Sequence, residues 1–335
     1  MKKSPLISVI IPTYKRPQEC LRAVRSVLAQ TYQNFEVIVG DDFGKDRTLG
    51  LLAALGDRRV FYFDNEGRGG SPSSNRNLCI ERSSGDYLTF LDSDDFMLSQ
   101  RLELQLQAIQ VAGNGVEFAV AGTRVIKVER GKYYHHRDLI PSASGDCREA
   151  FFGRRFSCYN TSLMITRKAL DEVGGWDPKM EGMDDPEFLM RFLLKYDGAR
   201  VCELCTVWFD HLGDSHSSVA SHRSNGIMHY LKKYPELCES YPVWYQSRII
   251  ELLKALYRLG EIQHYQNWMT RLTKAPLRIR LYYYLIRFPT LRRIINELVS
   301  RFRAVSEYSS SRKGEKQLFK LLPLKHLEFV KEISR

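Results

Sequence analysis

Apolar positions in the first third of the chain follow two alternating periods. Leu6 to Ile11 is a β-branched run closed by Pro12, the pattern of a buried strand. From Pro17 to Gln30 the apolar residues Cys20, Leu21, Val24, Val27 and Leu28 recur at helical spacing. The alternation continues with strands expected at Phe35 to Val39, Val60 to Phe63 and Tyr87 to Leu91. Helices are expected at Thr48 to Leu55, Pro72 to Arg82 and Ser99 to Ala112, the last with Leu102, Leu106 and Ile109 on one face. Short buried strands separated by helices over about 110 residues predict an α/β fold with a mostly parallel sheet flanked by helices.

Residues 113–220 are less regular. Strands are expected at Phe118 to Val128 and Ser162 to Thr166, with a helix near Arg148. Another helix should follow Asp184-Asp185-Pro186, since proline suits the first helical turn and carboxylates suit its positive end. Beyond His222 the pattern is helical to about Phe302, and Ser306 to Gln317 reads as polar linker or disorder. The expected organisation is a domain over 1–220 with halves 1–112 and 113–220, a mainly helical extension over 221–303, and a linker with a short helix over 304–335.

Composition narrows the function classes. With 44% apolar and 27% charged residues in 335, the chain suits neither a disordered, a collagen-like nor a disulfide-stapled class. Seven scattered cysteines point to reduced thiols and a cytoplasmic protein, and Cys202-x-x-Cys205 lacks the second pair of a zinc site. No stretch reaches the roughly 18 apolar residues of a membrane span, and Met1-Lys2-Lys3 runs straight into the first strand, so neither a signal peptide nor an anchor is expected. The net charge of +11 is uneven: residues 1–220 hold 28 Lys/Arg against 30 Asp/Glu, and residues 221–335 hold 22 against 9. A near-neutral body for chemistry and a cationic appendage for an anionic surface follow from that asymmetry.

Carboxylates sit just after two expected strands, Asp41-Asp42 after the second and Asp92-Ser93-Asp94-Asp95 after the fourth. Ligands of open α/β sheets bind at those strand ends, so both clusters should face one crevice. Three carboxylates within four residues repel one another unless a cation or hydrogen-bond donors compensate them. Mg²⁺ or Mn²⁺ would serve, being held through one or two carboxylates plus substrate phosphates; an Asx-rich turn capping the next helix is the alternative. Gly67-Arg68-Gly69-Gly70 lacks the Lys-Ser/Thr ending of a P-loop and is expected to be a mobile connection.

These segments together resemble the family 2 glycosyltransferases, nucleotide-sugar enzymes of the GT-A fold, which is Rossmann-like. Ser8-Val9-Ile10-Ile11-Pro12-Thr13-Tyr14-Lys15-Arg16 is similar to the family's opening strand and loop, and Gln30 to Val39 followed by Asp41-Asp42 to its second motif. Ser74-Asn75-Arg76-Asn77 resembles its Ala-Arg-Asn helix start, Gly85 to Asp95 its DxD strand, and Gly174-Gly175-Trp176-Asp177 with Asp184-Asp185 its acceptor region. The resemblance covers roughly residues 5–215. It implies that Asp42 bonds the uracil edge of UDP, that Pro12, Thr13 and Tyr14, with Arg16 in the same loop, form the base and ribose pocket, and that Arg76 lies near the base or phosphates. It places Asp94 at the ribose and Asp95 on the metal, with Asp92 and Asp94 as competing registers of the motif. Asp185 becomes the general base of an inverting transfer, next to Asp184 where the family usually has Glu. Trp176 is expected either to stack on an acceptor sugar or to pack in the core. His211 or His216 would complete the metal shell or be merely solvated, and Asp42 or Arg76 could instead be turn and surface residues.

Between Arg271 and Arg303 nine Lys/Arg and one acid, Glu297, interleave with Tyr282, Tyr283, Tyr284, Phe288, Leu291, Ile295 and Phe302. A cationic amphipathic segment of this kind suits peripheral attachment at the inner face of the cell membrane, where relatives build surface polysaccharide or lipopolysaccharide on glycan or glycolipid acceptors. A basic solvated helical face or a homo-oligomer interface is the other reading. Competing functions are a non-catalytic sugar-nucleotide-binding protein and a nucleic-acid-binding protein using the basic segment. The second leaves the acidic crevice without a purpose.

Overall fold

A computed structural model describes residues 4–129, 132–156, 158–211, 219–272 and 279–280. The chain divides into two compact units. The first contains β1 (Ile7–Thr13), α1 (Pro17–Leu28), β2 (Phe35–Asp41), α2 (Thr48–Ala53), β3 (Val60–Asp64), α3 (Pro72–Glu81), β4 (Tyr87–Phe90), β5 (Phe96–Met97), α4 (Arg101–Ala112), β6 (Val116–Glu129) and β7 (Lys132–Leu139). It continues with α5 (Arg148–Phe152), a 3₁₀ turn (Asn160–Ser162), β8 (Leu163–Thr166), α6 (Arg167–Val173), α7 (Asp184–Leu193) and β9 (Asp197–His211), the terminal residues Asp184 and His211 being counted with the second unit.

The sheet has the order β3-β2-β1-β4-β8-β6-β9-β5, with β7 paired to β6. Its first four strands are parallel, aligned as Ile10↔Ile38, Ile10↔Phe90 and Val39↔Tyr62. The parallel character stops there: β8 pairs antiparallel with β4 and β6, β7 with β6, and β5 with β9. The fold is thus α/β of the expected kind with a mixed sheet. Its second half contains two strands, β7 and β9, that periodicity did not single out. In β9 the inward set is Ala199, Val201, Cys205 and Val207, too small and too interrupted by Cys202 and Glu203 to stand out as a strand core.

Alternation along β1 explains the layering. Ile7, Val9 and Ile11 point to one face, packing with Cys20, Leu21, Val24 and Val27 of α1 and Leu102, Leu106 and Ile109 of α4. Ile10 points to the other, where Ile38, Leu88 and Phe90 meet Leu170 of α6 and Phe188, Leu189 and Phe192 of α7. With both faces covered, the parallel strands read as unbroken apolar runs. Their carboxyl ends, Thr13, Asp41 and Phe90, fall on one edge, which places both acidic clusters at that edge. A fully buried Arg101 braces it, donating from Nη2 to Thr89 Oγ1 at 2.6 Å and to the Phe90 and Leu163 carbonyls at 3.3 Å each. Burial lowers its pKa to about 10, so it remains a cation at neutral pH.

The second unit comprises residues 179–184 and the helices α8 (Ala220–Lys233), α9 (Leu237–Ser240), α10 (Pro242–Leu259) and α11 (Ile262–Met269). These occupy the described part of the predicted helical extension. Tyr230 of α8 meets Trp244 of α10 edge-on at 5.3 Å, and Arg223 Nε donates to Glu251 Oε1 at 2.8 Å. Gly226 touches the Glu181 carbonyl so closely that a Cβ would lie 1.9 Å from it. No helix among the described residues is long and apolar enough to cross a membrane. The basic amphipathic segment over 271–303, apart from its first two residues and Ile279–Arg280, and the linker over 304–335 lie outside the described residues.

Candidate functional site

The acidic cluster begins where β4 ends. The Asp95 amide donates to the Asp92 carbonyl at 3.0 Å, a turn that sends the three side chains in different directions. Asp92 Oδ1 accepts from Arg76 Nη2 at 2.6 Å, and Asp94 Oδ2 accepts from Arg16 Nη1. Two arginines thus supply much of the compensation that the sequence pattern demands. Asp95 is different, being 2% exposed, with Oδ1 accepting from the Phe209 amide of β9 at 3.0 Å. Among the described residues its Oδ2 has no hydrogen-bond partner, and neither does the hydroxyl of nearby Thr161, whose presence favours the charged form. Burial first, then the charges of Asp94 and Asp92, hold the Asp95 carboxyl well above the usual carboxylate range.

An orphaned, buried carboxylate oxygen in an acidic cluster suits a hard divalent cation, which needs only one or two protein carboxylates when phosphates complete its shell. Among the described residues no three His, Cys, Asp or Glu side chains converge as a ready-made cage. The side chain of His211 and the whole of His216 lie outside the described residues.

The glycine-rich loop does more than connect. Asp42 receives the Gly69 amide on Oδ1 at 2.6 Å and the Gly70 amide on Oδ2 at 2.8 Å, while its own amide donates to the Thr13 carbonyl at 3.0 Å. The loop is therefore a cradle for this carboxylate, in place of the bare connection expected from sequence. Each oxygen retains a second lone pair for a ligand N–H. The neighbouring Asp41 is fully buried and structural, accepting from the Phe43 amide and the Tyr62 hydroxyl at 3.0 Å each.

Of the expected pocket-lining residues, Pro12 and Thr13 are buried strand positions, Thr13 with 2% exposure, because β1 is covered on both faces up to its end. Their side chains do not face solvent. Tyr14 does, at 53% exposure, with Phe43 edge-on at 5.8 Å and the Lys15 ammonium 4.9 and 4.7 Å from the two ring centres. Lys15 adopts φ 54°, a left-handed conformation that costs a non-glycine residue about 1–2 kcal/mol and marks this loop as constrained.

On the other side of the cluster stands Asp185, in the first turn of α7. Its Oδ1 accepts from Trp176 Nε1 at 3.4 Å and from Arg76 Nη1 at 3.5 Å, and 33% of the side chain is exposed. Arg76, 5% exposed, therefore spans Asp92 and Asp185. Asn160, with its amide oriented to suit the donors around it, accepts from Arg76 Nε at 3.0 Å and Nη2 at 3.2 Å. Arg76 is thus a buried cation and not a surface charge. Trp176 is 3% exposed and stacked on Phe188 at 3.5 Å, with Phe90 edge-on at 4.6 Å. Its ring is a core element, which removes it as a stacking platform for a sugar. Asp184 is half-buried at the first position of α7.

Sequence patterns alone missed Asn160, Thr161, the Phe209 amide and Asn77. Asn77 donates to the Trp176 carbonyl and accepts from its amide, both at 2.9 Å, fixing the indole that reaches Asp185. Its place beside Arg76 in the Ser74 to Asn77 segment was the available signal. Asn160 and Thr161 lie in an aperiodic stretch and offered none.

Residues 8–174 match the family model described as Glycosyl transferase family 2. The chain is 25% identical over 292 residues to a putative colanic acid biosynthesis glycosyl transferase, WcaA, of Escherichia coli K12, covering 83% of this chain and 96% of that protein. It is 36% identical over 187 residues to the GalNAc(5)-diNAcBac-PP-undecaprenol beta-1,3-glucosyltransferase of Campylobacter jejuni, covering 51% and 57%. An uncharacterized glycosyltransferase of Rickettsia bellii is 41% identical over 128 residues, 38% of this chain and only 18% of that protein. Among solved structures, S. aureus TarS 1-349 in complex with UDP-GlcNAc superposes with TM-score 0.55 at 14% identity, covering 87% and 91%. The mannosyltransferase PcManGT from Pyrobaculum calidifontis, in complex with GDP-Man and Mn²⁺, gives 0.51 at 15% identity, covering 88% of each chain. At those identities the likeness is one of fold. The ordered motifs, the sheet topology and the matched family agree: the chain belongs to the family 2 glycosyltransferases and has the GT-A fold.

Proposed function

We propose that the protein is an inverting glycosyltransferase that moves a sugar from a nucleotide-diphosphate donor, UDP in preference, to a hydroxyl of a glycan or glycolipid acceptor. The observation that carries this reading is the span of Arg76 between Asp92 of the acidic cluster and Asp185 across from it. Carboxylates positioned for the two halves of the reaction share one guanidinium. Asp185 takes the proton of the acceptor hydroxyl as its oxygen bonds to the anomeric carbon. The bond from that carbon to the diphosphate breaks, and its electron pair leaves with the diphosphate. General-base assistance of this kind contributes about 10²- to 10⁴-fold. A single base acting opposite the leaving group gives inversion.

On the donor side, Asp42 in its glycine cradle would accept from the base, with the exposed Tyr14 against the ring. Arg16, whose side chain is 36% exposed, is placed to meet the diphosphate once Asp94 turns to another cation. Asp95, joined by Asp94, would hold Mn²⁺ or Mg²⁺, which when bound neutralises charge on the departing diphosphate. His211 is the further ligand suggested by sequence. The donor classes of the solved GT-A proteins support a nucleotide-sugar, and the Campylobacter relative's name supports a lipid-linked acceptor. Surface polysaccharide synthesis, in the cytoplasm at the inner membrane face, is the setting we favour.

Asp185→Asn should keep metal-dependent UDP binding and lose transfer, whereas Asp95→Ala should lose both. Transfer by the Asp185→Asn enzyme at the wild-type rate would remove the base. Deleting residues 271–335 should weaken binding to anionic liposomes at low salt, and unchanged binding would reject the membrane reading.

A further inference from the structure

We infer that Arg76 is a positioning residue for the base Asp185, acting on the acceptor half of the reaction; this rests on the function proposed above. Resemblance alone puts this arginine near the base or phosphates. In the structure it meets Asp92, Asp185, Asn160 and the Trp176 ring.

The geometry is that of a rigid fork. A guanidinium is planar, permanently charged and directs its donors in fixed directions. Here Nη2 takes Asp92 at 2.6 Å, Nη1 takes Asp185 at 3.5 Å, and the Nε edge takes Asn160 at 3.0 Å. The Trp176 ring lies 5.5 Å from the guanidinium carbon. Trp176 Nε1 adds a second donor to the same Asp185 oxygen, and Asn77, next to Arg76 in α3, clamps both backbone polar groups of Trp176. Two successive residues of one helix thus locate the base, one through charge and one through the indole. With 5% of the Arg76 side chain exposed, water cannot replace it, and its loss would leave two carboxylates facing each other without their common cation.

A bond of 3.5 Å is long for a resting ion pair, and catalytic contacts of this kind tighten when substrate excludes water. Arg76 thereby sets where the base stands without becoming the proton acceptor. The Trp176 indole and the Cys158 thiol also lie beside Asp185, the thiol with a pKa that burial pushes up to about 12 and to which Asp185 adds a smaller contribution.

The test measures steady-state transfer from a UDP-sugar, UDP affinity by calorimetry and the pH profile of kcat for Arg76→Gln, Arg76→Lys and Asp185→Asn. Arg76→Gln should lower kcat at least tenfold, leave the UDP dissociation constant within about threefold of wild type, and move the acidic limb of kcat to higher pH. Arg76→Lys, which keeps the charge and loses the fork, should recover part of kcat and keep the wild-type limb, and it serves if the glutamine variant does not fold. A weakened UDP affinity with unchanged kcat would return Arg76 to the nucleotide and overturn the inference, as would kcat within twofold of wild type. If Asp185→Asn itself transfers sugar normally, it is the proposed function that fails, whatever Arg76 does.

Discussion

Replacing Gly69 by alanine tests whether the glycine loop orients Asp42 for nucleotide binding. An added Cβ would lie 2.3 Å from Asp42 Oδ1, 2.6 Å from Cγ and 3.0 Å from Oδ2. Ordinary contacts are near 3.5 Å, so the carboxylate must withdraw by about 1 Å. The bonds from the Gly69 and Gly70 amides, 2.6 and 2.8 Å long, cannot both survive that shift. Charge-assisted hydrogen bonds contribute about 1.5–3 kcal/mol, and the half-exposed position of Asp42 reduces this to about 1–2 kcal/mol of lost orientation. Expressed as donor affinity, the loss is roughly 5- to 30-fold in the UDP dissociation constant, read by calorimetry with metal present. Gly67→Ala is the matched control: its φ of 74° strains an alanine by about 1–2 kcal/mol, but nothing lies within 4 Å of the added carbon. It should lower Tm and leave UDP affinity within twofold. Wild-type affinity in Gly69→Ala, alongside weakened affinity in Asp42→Ala, would show that the cradle does not set the carboxylate. Wild-type affinity in Asp42→Ala would remove Asp42 from the nucleotide site altogether.

Asp95→Asn should raise the Tm of the ligand-free protein at neutral pH, because it relieves a buried carboxylate whose Oδ2 has no hydrogen-bond partner among the described residues. The folded-state pKa of Asp95 is raised, so the wild-type protein binds more protons folded than unfolded; its stability should fall as pH rises above about 4, and the variant should lack that component in a pH series of melts. Asn77→Ala removes both bonds to the Trp176 backbone and should cost about 1–3 kcal/mol in urea unfolding while leaving UDP affinity unchanged. Gly226→Ala places a carbon 1.9 Å from the Glu181 carbonyl and should cost about 1–3 kcal/mol or more, seen as a lower Tm.

Strand and helix identities in the first 112 residues were legible because each buried face repeats its period over at least one turn or pleat. Cys20, Val24 and Val27 line one face of α1, and Ile7, Val9 and Ile11 one face of β1. The acidic cluster and Asp185 were legible as residues from their places directly after an apolar strand and at a helix start, and the family resemblance supplied their expected roles. Their partners were not. Arg76 meets Asp92 across 16 residues of sequence and Asp185 across 109, and no local pattern encodes either separation. The resemblance pointed Arg76 toward the nucleotide and left Trp176 open between sugar and core. The packing of α3 against the chain around residue 176 put Trp176 in the core and Arg76 between Asp92 and Asp185.

What the sequence by itself determined was the local part: the main strands and helices of the first 112 residues, and at which strand ends the carboxylates fall. These depend on periodicity and on backbone preferences carried by neighbours a few residues apart. Only the tertiary structure decided which cation faces which carboxylate, that Asp95 is buried with an oxygen unpaired, that the Gly69 and Gly70 amides cradle Asp42, and that Trp176 is core. Electrostatic compensation and burial are set by distance in space. Once the sheet brings remote segments to one edge, the same aspartate is a surface charge, a salt-bridge partner or a desolvated acid according to what arrives beside it.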